Sequence, residues 1–180
     1  MPSWISTAHQ YHVSLADDWK VAVESLRTIT EFAASLGITM MIEPINRYRV
    51  GLVHTIAEAL KMASEVNMPN IAIVPDTFHM NMEESLSIPN ALIAGGAHVK
   101  TLHVGENNRS MPGLGALDWP KILLSLEKIG FDGCLSHEPV SLYFNENQIA
   151  AEQEHFFAFE QELSESVKFL TRCMKEVSTS

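Results

Sequence analysis

Four side chains able to coordinate a cation or move a proton stand at the ends of short apolar runs. Glu43 follows Ile38-Thr-Met-Met-Ile42, Asp76 follows Ile71-Ala-Ile-Val74, His103 closes Val99-Lys-Thr-Leu-His103, and Glu138 follows Gly133-Cys-Leu-Ser-His137. Three carboxylates and one imidazole, with no thiolate, form a mainly oxygen donor set suited to Mn²⁺, Mg²⁺ or Co²⁺ before Zn²⁺. Converging without a cation, these groups would repel one another in a low-dielectric site. A cation beside a carbonyl and an adjacent hydroxyl polarises both and stabilises an enediolate, and a carboxylate near the same carbon then moves a proton. Two glutamates facing opposite sides of the substrate, one removing the proton and the other returning it, give epimerisation. A single base shuttling between two carbons gives aldose–ketose isomerisation.

Such convergence needs a particular scaffold. Ala22, Val23, Leu26, Ile29, Ala33 and Leu36 recur at steps of three and four, which predicts a helix over 17–36 stopped by Gly37. The run 38–42 then reads as a strand buried on both faces, bounded by Gly37 and Pro44. The alternation repeats: a helix over about 55–66, strand 71–74, a segment around 83–95, strand 99–103, a helix over about 118–129 and strand 133–137. A longer, more polar helix or helix pair covers about 147–176. Short apolar strands alternating with amphipathic helices imply parallel βαβ units, whose chemistry lies at the strands' C-terminal ends.

Composition narrows the partners. The chain has 180 residues, 46% of them apolar and 19% charged, enough to build one core. Twelve Lys+Arg against 22 Asp+Glu leave a formal charge of −10 with no basic stripe, so neither nucleic acid nor an anionic membrane is an expected partner. No run of roughly 18 apolar residues occurs, and Met1 to Val13 lacks the pattern of a secretion leader. Cys134 and Cys173 read as small buried thiols in a reducing compartment, which places the protein in the cytoplasm.

Three stretches carry a resemblance: Glu43-Pro-Ile-Asn-Arg-Tyr, Asp76-Thr-Phe-His-Met-Asn-Met-Glu-Glu84, and His103-Val-Gly-Glu-Asn-Asn-Arg109 followed by Pro112-Gly-Leu-Gly115. They are similar to motifs of the D-tagatose and D-psicose (allulose) 3-epimerases, within the xylose-isomerase-like superfamily of TIM barrels. The resemblance runs from about residue 17 to about 140. It implies a divalent metal, Mn²⁺ foremost, held by Glu43, Asp76, His103 and Glu138, with Glu43 and Glu138 also the acid–base pair at C3 of a ketose. It implies too that His79 and Arg109 grip the ketose O1 and O2 oxygens. Glu106, in the same motif as His103, is expected to hold Arg109 or a ligand in place. Read without it, His79 is a packed loop histidine and Arg109 a solvated loop cation. His137 should point away from the mouth, and Trp119 and Phe131 should be core.

Two residues depart from the pattern. Arg49 stands where the family has a substrate-binding glutamate, so it should favour an anionic group, unless it turns outward to pair with Glu83 or Glu84. His54 stands where Asn is common, as a cap neighbour or a pocket residue. Length departs as well, since a TIM barrel has eight strands and this chain supplies four. The expected fold is therefore α/β, one domain over 1–180 forming the C-terminal half of a (β/α)₈ barrel, cut short at the N-terminus. Its open edges call for a homo-oligomer or a missing N-terminal half. Rival readings are a keto-sugar or sugar-phosphate isomerase, a remnant binding only metal or a partner, and an apurinic endonuclease, which would need a basic surface and more metal ligands.

Overall fold

The computed structural model describes residues 15–49, 51–139 and 153–177, the leader reading at 1–13 and the start of the 147–176 helix lying outside them. The chain runs α1 (Leu15–Ser35), β1 (Met40–Ile42), α2 (Ile56–Val66), β2 (Ile71–Ile73), α3 (Thr77–Glu83), α4 (Ile88–Gly95), β3 (Thr101–Val104), α5 (Trp119–Lys128), β4 (Cys134–His137) and α6 (Gln153–Val177). Gly37 ends the first helical segment at φ 70°, a conformation easy only for glycine. Thr55 and Glu58 form a reciprocal capping box at the start of α2, and Asp76 caps α3.

Strand β1 pairs in parallel with β2, Met40 to Ile71 through Ile42 to Ile73, and β3 pairs with β4, Thr101 to Cys134 through Val104 to His137. Parallel bridges at Ile73–Val99 and Asp76–His103 join the two pairs into an arc ordered β1-β2-β3-β4. Helices cover its convex side. Val23, Ala59, Met62 and Val66 pack on Ile42 and Ile73, while Leu92, Trp119, Ile122, Leu126, Leu170 and Cys173 pack on Leu102 and Val104. The chain forms the parallel βαβ units expected from the alternation and the partial barrel that the resemblance implies.

Several local expectations need correction. The segment around 83–95 holds one helix, α4 over Ile88–Gly95, which Glu84 to Ser87 separate from the unforeseen α3 over Thr77–Glu83, and a strand buried on both faces is not found at 38–42. Met41 is 43% exposed and Ile38 51%. Cys134, expected to be buried like Cys173, is exposed. One cause serves Met41 and Cys134: side chains alternate along a strand, so Met41 shares the concave face with Glu43, and Cys134 with Ser136 and Glu138. No described element covers that face on the outer strands. His137 lies on the other face, its Nε2 3.1 Å from Ser166 Oγ on α6, where burial pushes its pKa down. It points away from the mouth as expected. Trp119 is buried in the core, and Phe131 packs at its edge.

Candidate functional site

Parallel strands deliver their C-terminal ends to one side of the arc, so Glu43, Asp76, His103 and Glu138 meet although nearly a hundred residues separate the first from the last. Their ligand atoms all lie within 4.8 Å of one another. Asp76 is almost fully buried; Oδ1 accepts the Phe78 N–H at 2.8 Å, and Oδ2 accepts from Arg109 Nη1 at 2.6 Å. Next to it, His103 Nδ1 lies 3.1 Å from Glu43 Oε1 and 2.8 Å from Glu138 Oε2. A ring nitrogen offers one proton or one lone pair, so it cannot serve two carboxylates fully. A divalent cation taking electrons from that nitrogen and both oxygens relieves the competition, and the donor set fits one of the Mn²⁺ and Mg²⁺ type. Burial raises the Glu138 carboxyl above its ordinary value; Arg109 and His103 oppose the rise, Asp76 and Glu43 add to it.

The structure brings His79 and Arg109 to the same place. Arg109 adopts φ 64°, which costs a non-glycine residue about 1 kcal/mol, and this aims its guanidinium inward. There it bridges Asp76 and Glu138, Nη2 lying 3.2 Å from Glu138 Oε1, and stacks 4.7 Å from the centre of the Phe78 ring. His79 is buried, with Nε2 3.8 Å from Asp76 Oδ2, and burial pushes its pKa down to about 4. It is a packed and neutral imidazole beside the cluster.

Arg49 is exposed, yet its charge reaches His79 and helps depress it. The acids weighed as its outward partners are engaged elsewhere: Glu83 is gripped by Arg47 Nη2 at 2.7 Å, and Glu84 accepts the Ile56 N–H at 2.8 Å. The Glu106 side chain acts on the loop that carries Arg109 rather than on the guanidinium. Its carboxylate is fully buried and accepts from Gly113 N at 2.9 Å, Leu117 N at 3.1 Å and Trp119 Nε1 at 2.6 Å. It therefore fastens the 106–119 loop to the core, and touches Arg109 only through its backbone carbonyl, 2.9 Å from the Arg109 N–H. His54 Nδ1 lies 2.9 Å from Ile45 O, beside the α2 cap.

Two residues escaped the sequence reading. Thr77 Oγ1 accepts the Gly105 N–H at 3.0 Å and donates to the Gly105 carbonyl at 2.6 Å, locking the end of β2 to that of β3. Asn46 is buried with Nδ2 2.7 Å from His79 Nδ1. Both stand inside the quoted motifs, three residues after Glu43 and one after Asp76, and that adjacency was the available signal. A groove of about 970 Å³ opens at the other ends of the strands between Thr39, Met41, Ala72 and Thr101, away from all this chemistry.

A parallel β/α arc with carboxylates and an imidazole gathered at its strand ends has the architecture of a barrel enzyme's catalytic mouth. The chain belongs to the xylose isomerase-like TIM barrel family, which it matches over residues 4–172. It is 37% identical over 122 residues to D-psicose 3-epimerase of Ruminiclostridium cellulolyticum, 68% of this chain and 41% of that protein. It is 31% identical over 125 residues to 3-dehydro-D-guloside 4-epimerase of Escherichia coli K12, 69% of this chain and 47% of that one. The crystal structure of D-psicose 3-epimerase with D-tagatose from Clostridium cellulolyticum H10 superposes with a TM-score of 0.79 at 28% identity, covering 89% of this chain and 58% of that one. A family 2 AP endonuclease from Brucella melitensis shares the fold at a TM-score of 0.66 and 21% identity. The chain spans less than half the length of these curated relatives. No helix among the described residues is long and apolar enough to cross a membrane.

Proposed function

We propose that this chain carries the metal and acid–base half of a ketose 3-epimerase. The observation that carries the reading is the approach of Glu43 and Glu138, from the two outer strands of the arc, to the same nitrogen of His103. Similarity to D-psicose 3-epimerases supports it. A divalent cation, Mn²⁺ foremost with Co²⁺ or Mg²⁺ behind it, held by Glu43, Asp76, His103 and Glu138, would polarise the C2 carbonyl and C3 hydroxyl and acidify the C3 proton. One of Glu43 and Glu138 removes that proton and the other returns one to the opposite face. His79 donates its N–H to a ketose oxygen. Arg109 turns its guanidinium to a second oxygen, and Arg49 stands at the rim, where it favours an anionic substituent.

The same reading holds the working form to be an oligomer or a longer barrel that covers the concave face, in the cytoplasm. Its test is proton exchange in D₂O, followed by NMR with Mn²⁺ and a panel of ketohexoses. Deuterium entering C3 is the expected result. Exchange at C1 or C2 alone would make the chain an aldose–ketose isomerase, and exchange at C4 would align it with the 4-epimerase relative. Metal binding with no exchange on any ketose would overturn the enzymatic reading in favour of a binding remnant.

A further inference from the structure

A backbone N–H fixes the orientation of a buried amide beside the cluster. The Tyr48 N–H donates to Asn46 Oδ1 at 3.1 Å, and a backbone N–H can only donate. The amide oxygen of Asn46 must therefore face Tyr48, which turns Nδ2 with its two protons toward His79 Nδ1, 2.7 Å away. A neutral imidazole has one nitrogen that accepts and one that donates. Nδ1 accepts the hydrogen bond that Asn46 Nδ2–H donates, so the ring's own proton sits on Nε2. Both side chains are buried, Asn46 at 3% and His79 at 5% exposure, which holds the amide against Nδ1.

We propose that Asn46 is a positioning residue that locks His79 in its Nε2–H tautomer, so that the site presents a donor to its ligand where the other tautomer would present a lone pair. Nε2–H then donates to a carbonyl or hydroxyl oxygen, and a cation is refused there. This separates His79 from His103, whose Nδ1 faces carboxylates and serves the cation. The tautomer follows from the contacts of Asn46 alone, while its use in holding a sugar oxygen rests on the epimerase reading.

The test is ¹⁵N NMR of the histidine rings in the full 180-residue chain at a pH of about 8, above the ordinary imidazole range. His79→Gln identifies the resonances to be followed. The parent should show a protonated Nε2 and an unprotonated Nδ1. Asn46→Asp replaces the donor by an acceptor of the same shape and should reverse that pattern, whereas Asn46→Ala should give a mixture of the two tautomers. A parent ring protonated at Nδ1, or an Asn46→Asp ring indistinguishable from the parent, would overturn the proposal. Should Asn46→Ala fail to fold, Asn46→Asp and Asn46→Ser still decide it. Where C3 exchange is measurable, Asn46→Ala should lose about three- to tenfold in kcat/KM, the worth of one neutral hydrogen bond. A reversed ring in a protein that exchanges no ketose proton would sustain the Asn46 inference and defeat the epimerase reading.

Discussion

The inner and outer strands of the arc are built from similar apolar runs but live in different surroundings. Ile71, Ala72 and Ile73 of β2 are all buried, and the Asp76 carboxylate beyond them is inaccessible, capping α3 and gripping Arg109. In contrast, β1 exposes Met41, β4 exposes Cys134, and the Glu138 side chain is 46% exposed. Thr77 stitches the two inner strands together through Gly105, so Asp76 and His103 are fixed to each other by backbone. The glutamates meet that fixed pair from either end of the arc. On the proposed reading the difference divides the tasks: the buried Asp76 would hold a cation in a set position, and Glu138, the most accessible of the four, would exchange protons, while the His103 and Glu43 side chains are alike at 25% and 27% exposure.

Removing an inner ligand should therefore do more damage than removing an outer one. Asp76→Ala should weaken Mn²⁺ binding by about a hundredfold or more, and Glu138→Ala by about tenfold because water can enter where that side chain was. Stability should divide the same way. Asp76→Ala deletes the α3 cap at a cost of about 1 kcal/mol and strips Arg109 of its shortest contact, while Glu138→Ala should stay within about 0.5 kcal/mol. Calorimetric titration and thermal melts of both variants measure the contrast. Equal losses in affinity would end the division into holding and proton-moving groups.

The legible parts of this arrangement were those encoded locally. Apolar runs closed by a coordinating side chain, two of them followed directly by proline, exposed Glu43, Asp76, His103 and Glu138, and the strand–helix alternation exposed the parallel arc. Long-range pairing was not legible. Asn46 finds His79 33 positions away, and nothing in Asn46-Arg-Tyr announces it. The carboxylate of Glu106 could as well have faced Arg109; the Trp119 indole and two loop amides claim it instead. Helix α3 escaped because its seven residues are too few to display a period. Burial of Met41 and Cys134 failed as an expectation because exposure depends on what crosses the concave face, which the pattern within a strand does not encode.

One ion pair fastens the outer region to the inner and ties its stability to pH. Arg47, in the turn after β1, forks onto Glu83 at the end of α3, and its backbone N–H adds a bond to Glu83 Oε1 at 2.8 Å. The Glu83 side chain is only 2% exposed, and the Arg47 hydrogen bond holds its pKa below the ordinary carboxylate value. A carboxylate depressed in the folded state stabilises it above the ordinary value of about 4.5, and that contribution disappears as the pH falls toward the folded pKa. The melting temperature should therefore decline from pH 5 downward. In Arg47→Ala the buried carboxylate loses its partner, so the variant should melt lower at pH 7 and lose less on acidification. Parallel pH profiles for parent and variant would show that the clamp contributes nothing.

The smallest expected effect belongs to Arg49, at the rim of the same turn. Its charge reaches His79, yet the side chain is exposed, and exposure decides the magnitude. A phosphate about 4 Å from a guanidinium gains roughly 4 kcal/mol at an effective dielectric of 20, but only about 1 kcal/mol in water. An exposed group lies near the second figure, and salt screens it further. The preference Arg49 can confer on an anionic ketose over a neutral one is then about fivefold at low ionic strength and less at 0.15 M. Arg49→Glu replaces attraction by repulsion of similar size, so the ratio of kcat/KM for a ketose phosphate over its neutral parent should fall by about tenfold to thirtyfold. The ratio should also lose its salt dependence in Arg49→Ala. A ratio unmoved by the reversal would make Arg49 a solvated turn residue and leave the neutral ketose as the substrate class.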